Sequence, residues 1–278
     1  MNIIEQMLAR YPAQEREHAV REVMQEIALA GLRRGGFFDK AAFYGGTCLR
    51  IFHGLPRFSE DLDFSLLSPD REFTLEPYFD AMRGEFAAFG FEVEITAHKK
   101  SVESAVVSAF VKKGTNIYDV QVRGQRTLKI KFEVDTDPPS GFGTEDRLLV
   151  QPYSFYAKCY SLPDLYAGKV HALLFRKWKN RVKGRDWFDF EWYVRNQITL
   201  NLEHLQERAR QSGDWGGTTM GQAELQSLLQ QRIDTLDIGQ ARSDVQPFLR
   251  DSGTLQIWSH RYFTDLTGKI KYLQPTRH

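Results

Sequence analysis

Asp61 and Asp63, separated by one leucine at the head of the apolar run Phe64 to Leu67, carry the clearest chemistry in this sequence. Successive side chains of an extended strand alternate faces, so both carboxylates project from one side while Leu62 and Phe64 enter the core. Two carboxylates about 6–7 Å apart on one strand face offer hard oxygen ligands to divalent metal ions. Upstream, Gly45 and Gly46 open what reads as a short helix, with Thr47 directly behind them. Glycines there leave backbone N–H groups uncovered at a helix start, where an anionic phosphate can be met. A phosphate cradle followed by a metal clamp points to phosphoryl or nucleotidyl transfer. Taken singly, a Gly-Gly pair or an Asp-x-Asp is usually a turn or a solvated surface pair; their order and spacing give them weight.

Metal-assisted transfer commonly recruits a further carboxylate. The candidate lies in Leu128-Lys-Ile-Lys-Phe-Glu-Val-Asp135, which alternates strictly: Ile130, Phe132 and Val134 one way, Lys129, Lys131, Glu133 and Asp135 the other. Glu133 ranks first as third ligand. Asp135, near the strand end, either substitutes for it or caps the turn before Pro138. Lys129 or Lys131 would bind a triphosphate oxygen or balance local charge.

A second concentration of charge follows. Six of the ten residues from Arg176 to Arg185 are basic. Lys169 and Arg176, seven apart, share a helix face, with Ala172 and Leu173 between them. Gly184 ends or kinks that helix, and Arg185-Asp186 opens the next. Asp186 and Asp189 lie three apart on one face of it, unless Asp186 is the N-cap. A charge run is usually a solvated face; here Lys169 and Arg176 are also placed to bind a nucleotide triphosphate. The other cations, with Trp178, would meet a nucleic acid or nucleotide.

These residues need elements to hold them. The pattern predicts a helix over 14–34, a strand over 41–45, a helix over 46–53 and a strand over 61–67. A helix over 74–89 and strands over 91–97, 105–111 and 128–134 follow, with one more strand across 148–156. Helices are expected over 163–180, 186–196, 201–211, 221–232, 242–250 and 256–273. The chain therefore divides into an α/β part, residues 1–160, and a mostly helical part, residues 161–278. Its 278 residues are enough for a substantial core, and 42% hydrophobic with 26% charged content is ordinary for a water-soluble protein. No apolar run approaches the ~20 residues of a membrane span, and no secretory leader is visible. Two cysteines without metal-site spacing read as reduced thiols, so a cytoplasmic location is expected.

Gly-Gly, 14 residues (Thr47 to Glu60) and then Asp-Leu-Asp resembles the signature of the DNA polymerase β-like nucleotidyltransferase superfamily, at the long edge of that pattern. Four motifs together look like the AbiEii/AbiGii-type nucleotidyltransferase toxins of type IV toxin–antitoxin systems. They are Gly45-Gly46-Thr47-x-Leu49, Arg57-x-Ser59-x-Asp61-Leu62-Asp63-Phe64, Lys131-x-Glu133, and Lys169-x-x-Ala172-Leu173-x-x-Arg176 followed by Arg185-Asp186-x-x-Asp189. The match covers about residues 41–193. The resemblance implies an α+β fold, a polymerase β-like catalytic domain with a mixed sheet joined to a helical domain. It further implies Mg2+ dependence, an NTP donor, an RNA acceptor such as the 3′ end of tRNA, and a cognate antitoxin. By motif it makes Asp61 and Asp63 metal ligands, Lys169 a nucleotide-binding residue, and Asp189 or Asp186 a further active-site acid. Arg57 and Ser59 would support their loop or touch phosphate, and Arg185 joins the nucleotide-binding set. The stretch between Arg176 and Arg185 is more basic than the motif requires. Two other classes fit the same residues: a nucleotidyltransferase acting on a protein or small molecule, and a catalytically silent module that binds RNA or an antitoxin.

Overall fold

Alternating apolar and polar residues along two adjacent segments build the centre of a seven-stranded mixed sheet. The computed structural model describes residues 3–98, 115–123, 127–176, 182–217 and 219–274. The fold is α+β, and the chain divides into two compact units. The first comprises Met1–Gly54, Phe58–Pro138 and Thr144–Cys159; the second comprises Leu55–Arg57, Pro139–Gly143 and Tyr160–His278.

The first unit contains α1 (Ile3–Leu8), α2 (Arg16–Arg34), β1 (Ala41–Tyr44), α3 (Gly45–His53), β2 (Leu62–Leu66) and α4 (Phe79–Ala88). It continues through β3 (Glu92–His98), β4 (Thr115–Arg123), β5 (Leu128–Asp135), β6 (Thr144–Leu149) and β7 (Phe155–Tyr160). The sheet order is β3-β4-β5-β2-β1-β7-β6. β2 lies at its middle, antiparallel to β1 and parallel to β5, with Leu62 opposite Phe132 and Asp63 opposite Glu133. Leu62, Phe64, Ile130, Phe132 and Val134 are fully buried. The Phe64 ring stacks on Phe132 at 6.1 Å and meets Phe37 edge-on at 4.9 Å. This aromatic layer holds the two strands that carry the acids, leaving Asp63 and Glu133 on the other face.

α2 departs from a simple amphipathic helix. Ala19, Val23, Ile27, Ala30 and Leu32 are buried as their spacing predicts, but so are Glu22, Gln25 and Glu26. Each of these polar side chains has a partner. Glu22 pairs with Arg50 at 2.8 Å, Glu26 pairs with Arg10 at 2.8 Å, and Gln25 bonds main-chain carbonyls. The expected strand over 105–111 lies outside the described residues, and β4 was not anticipated. The single strand expected across 148–156 is instead the junction between β6 and β7. Pro152, which has no N–H for a ladder, sits in that junction.

The second unit contains α5 (Leu162–Phe175), α6 (Gly184–Arg195), β8 (Thr199–Leu200), α7 (Leu202–Gln211), α8 (Gln222–Asp234), α9 (Ile238–Val245), α10 (His260–Thr267) and β9 (Lys271–Tyr272). α5 ends at Phe175, short of its expected extent, and Gly184 begins α6. A Cβ on Gly184 would come within 1.7 Å of the Ala241 carbonyl oxygen, so glycine allows α6 and α9 their close approach. The helix expected over 242–250 starts earlier because Asp237 accepts a hydrogen bond from the Gln240 N–H at 2.9 Å and caps α9. The helix expected over 256–273 is broken into the 3-10 turn Ser252–Ile257, α10 and β9. Ser259 caps α10 by accepting from the Tyr262 N–H. Inside this unit, Tyr166 stacks on Tyr193 at 4.3 Å, and Glu191 accepts hydrogen bonds from the Trp258 indole at 2.7 Å and the Tyr262 hydroxyl at 2.9 Å. Among the described residues, no helix is long and apolar enough to cross a membrane.

Candidate active site

Each unit carries one cluster of the charged residues singled out in the sequence. In the first unit the cluster is built on β1, α3, β2 and β5. β1 delivers the chain to Gly45, whose φ of +82° lies in the left-handed region. Tyr44 lies opposite Asp63 in the β1–β2 register, which brings the Asp63 carboxylate against Gly45. A Cβ on Gly45 would lie 2.2 Å from Asp63 Oδ2 and 2.9 Å from its Cγ. Glycine is therefore required here twice, for the backbone turn and for the space the carboxylate fills.

Thr47, on the first turn of α3, is fully buried, and its hydroxyl donates to the Asp61 carbonyl oxygen. It holds the chain's own backbone. Gly46 is also buried. Asp61, Asp63, Ser59 and Glu133 are partly exposed. The parallel register sets Asp63 beside Glu133, and the Lys131 ammonium bonds the Glu133 carboxylate. Burial opposes charge on Lys131, but its hydrogen bond to Glu133 and the fields of Glu133, Asp61 and Asp63 outweigh that and raise its pKa. Asp135 is buried, and its Oδ1 accepts from the Asp137 N–H at 3.2 Å, so it caps the turn before Pro138.

Among the described residues, no group of three or more His, Cys, Asp or Glu side chains converges as a preformed metal cage. The donor set nevertheless suits a hard divalent cation: carboxylates only, Asp63 on β2, Asp61 just before that strand, and Glu133 in register with Asp63. The position already holds a cation, since the Lys131 ammonium pairs with Glu133 there. The residues present fit a divalent metal.

The cluster of the second unit is a buried charge quartet. Arg57 is 3% exposed and donates twice to Asp189, which is fully buried: Nε to Oδ1 and a terminal nitrogen to Oδ2, both at 2.6 Å. Lys169 of α5 reaches Asp186 at 2.9 Å and Asp189 at 2.8 Å. The two aspartates occupy the first turns of α6, three apart as the sequence spacing requires. Burial opposes the charge on Arg57 and Lys169, but the aspartates overcome it and raise both pKa values. Burial also opposes ionisation of Asp186, and Lys169 with Arg176 reverses this and lowers its pKa. Two cations and two anions thus neutralise one another out of water.

The remaining candidates stand differently. Arg176 is exposed at the end of α5, and its carbonyl accepts from Arg232 at 3.4 Å. Arg185 turns to Asp244 at 3.8 Å and lies 4.3 Å over the Phe248 ring. Trp178 and the basic residues of 177–181 lie outside the described residues. Sequence reasoning missed Gln25; the available signal was an amide placed between Val23 and Ile27, inside the apolar face of α2.

The family described as nucleotidyl transferase AbiEii toxin, type IV toxin–antitoxin system, matches residues 27–265. Among solved structures, a protein from H. pylori assigned as a nucleotidyltransferase is similar at 19% identity, covering 93% of this chain and 93% of that one, with a TM-score of 0.50. MenT4, a nucleotidyltransferase toxin from Mycobacterium tuberculosis, is similar at 13% identity, covering 98% of this chain and 99% of that one, also with a TM-score of 0.50. At such identities the likeness establishes a shared fold. No curated protein matches the sequence.

Proposed function

The chain belongs to the AbiEii nucleotidyltransferase toxin family of type IV toxin–antitoxin systems, and from that premise we propose that it transfers a nucleotide from an NTP to an RNA acceptor, with the 3′ end of tRNA the acceptor class. The family makes it a nucleotidyltransferase with a nucleotide substrate and an antitoxin partner. The observation that carries the reading is the seating of Asp63 against Gly45, in register with Glu133. A strand acid, a helix-opening glycine and a neighbouring strand acid are joined there by main-chain geometry.

In this reading an RNA hydroxyl attacks the α-phosphorus of the NTP in line and pyrophosphate leaves. Asp61 and Asp63, with Glu133, are the residues that would hold Mg2+, which when bound polarises the phosphate and neutralises charge on the leaving group. Gly45 and Gly46 offer main-chain N–H groups at the start of α3 to a phosphate oxygen. Thr47 keeps the Asp61 backbone in place through its hydroxyl. Lys131 supplies a positive charge beside the acids. In the second unit, Lys169 is proposed as a phosphate-binding ammonium, oriented by Asp186 and by Asp189, which Arg57 anchors in turn.

The test is incubation of the purified protein with total RNA, Mg2+ and each α-labelled NTP in turn, beside Asp61→Ala. A labelled RNA band that is absent from the variant supports the reading and gives the size class of the acceptor. Label in protein and none in RNA would move the acceptor to a protein. RNA labelling that persists in both Asp61→Ala and Asp63→Ala would overturn the assignment of the acids.

A further inference from the structure

The main chain that leads into the acid pair is held by side-chain donors from α2 and α3. The β2 ladder with β5 begins at Leu62, so Ser59, Glu60 and Asp61 approach the strand before its register starts. Side chains take over in that stretch. The Gln25 amide, 34 and 35 residues earlier in the chain, donates to the Ser59 carbonyl at 3.2 Å and to the Glu60 carbonyl at 2.9 Å. Thr47 donates to the next carbonyl, that of Asp61. Phe58, one residue before this run, is stacked on His18 at 4.5 Å and lies under the Arg50 guanidinium at 4.4 Å. Arg50 is in turn fixed to Glu22 of α2. Every residue from Phe58 to Asp61 is thus gripped by a side chain of α2 or α3.

Gln25 is 1% exposed. Burying an amide is unfavourable unless its hydrogen bonds are made, and an aliphatic side chain would suit this enclosed face of α2 better on packing grounds. Its two N–H groups go to adjacent carbonyls and no further along the chain than two residues from Asp61. We infer that Gln25 is a positioning residue: with Thr47 it sets the backbone from Ser59 to Asp61, so that the Asp61 carboxylate is presented beside that of Asp63 for a divalent cation. This rests on the reading of Asp61 and Asp63 as the metal-holding acids. Gln25 precedes the family match, which begins at residue 27.

Without the amide, the Ser59 and Glu60 carbonyls lose the Gln25 donor and the approach to β2 loosens. The expected consequence is a weaker metal site in a protein that still folds. Outer groups that orient metal ligands commonly contribute a factor of about 10–100 in affinity; about tenfold is expected here.

The experiment measures Mn2+ binding by electron paramagnetic resonance, on the full chain well below its melting temperature, for wild type, Gln25→Met, Thr47→Val and Asp61→Ala. Gln25→Met keeps the length of the side chain and removes its donors; Thr47→Val keeps shape and removes the hydroxyl. Wild type binding Mn2+, Asp61→Ala failing to bind it, and both Gln25→Met and Thr47→Val binding about tenfold more weakly with unchanged circular dichroism is the expected pattern. Gln25→Met with wild-type affinity, while Asp61→Ala has lost binding, overturns the positioning role and leaves the metal reading intact. Equal binding by wild type and Asp61→Ala overturns the metal reading and this inference with it. If Gln25→Met does not fold, Thr47→Val decides: wild-type Mn2+ affinity there refutes the idea that these carbonyl bonds set the site.

Discussion

The carboxylate of Asp63 occupies the space in which a side chain at residue 45 would begin: a Cβ there would lie 2.2 Å from Asp63 Oδ2. The glycine that opens α3 and the aspartate of β2 are therefore one structural unit. Neither can change without the other.

Gly45→Ala should abolish nucleotide transfer while leaving a folded, less stable protein. The φ of +82° costs a non-glycine residue about 1–2 kcal/mol, and the clash pushes the Asp63 carboxylate from its seat. Urea unfolding reads the first effect and labelled-NTP incorporation the second. Activity within a factor of two of wild type would show that the carboxylate need not sit there.

Lys131 competes with any cation for the acids. Lys131→Ala should tighten Mn2+ binding by up to about fivefold, the range expected when a partly exposed ion pair is removed. The same variant should lose, not gain, transfer activity if the ammonium also meets nucleotide phosphate. Mn2+ titration beside rate measurements at saturating metal separates the two effects, and weakened Mn2+ binding would contradict the electrostatic argument.

Arg57→Ala strips the fully buried Asp189 of its bidentate partner. An uncompensated buried charge typically costs about 3–5 kcal/mol, so a large fall in the urea midpoint is expected. Arg57→Met combined with Asp189→Leu should recover most of the loss, since both charges go together. A double variant no more stable than the single one would argue that the quartet holds more than its own charges.

Two groups of the first unit give opposing pH dependences. Burial raises the Glu26 pKa to about 7, against the pull of Arg10. Its folded state thus holds a proton that the unfolded state releases near 4.5, and its stability contribution is full below about 4.5 and lost as pH rises through about 7. Burial, then Arg147, lowers the His53 pKa to about 4 from 6.5, so its contribution is present above about 6.5 and lost as pH falls toward 4. In wild type the two largely offset between pH 4.5 and 6.5. Glu26→Gln removes one arm, and its unfolding free energy should then fall as the solution is acidified from pH 6.5 to 4. Denaturant unfolding across that range, compared with wild type, is the check; parallel curves would refute it.

What the sequence by itself determined is what local periodicity controls. Period two along a strand predicts that Asp61 and Asp63 project alike, and the helical period near 3.6 puts Asp186 and Asp189 on one face, where both meet Lys169. The apolar residues alternating with the acids in Leu62–Leu66 and Leu128–Asp135 likewise marked both strands and their inward-facing side chains. The same rules failed where a local signal was ambiguous: Pro152 divided one expected strand into two, and Asp237 and Ser259 started helices that apolar spacing alone misplaced.

What only the tertiary structure decided is which partners meet. Arg57 finds Asp189 across 132 residues, Gln25 finds the Ser59 and Glu60 carbonyls, and Asp63 comes to rest on Gly45. Thr47, which the motif suggested for nucleotide, is turned to the Asp61 backbone. Spacing along a chain specifies the direction of a side chain relative to its own element. The group it meets depends on strand order and register, and those emerge only when distant segments bury their apolar faces together.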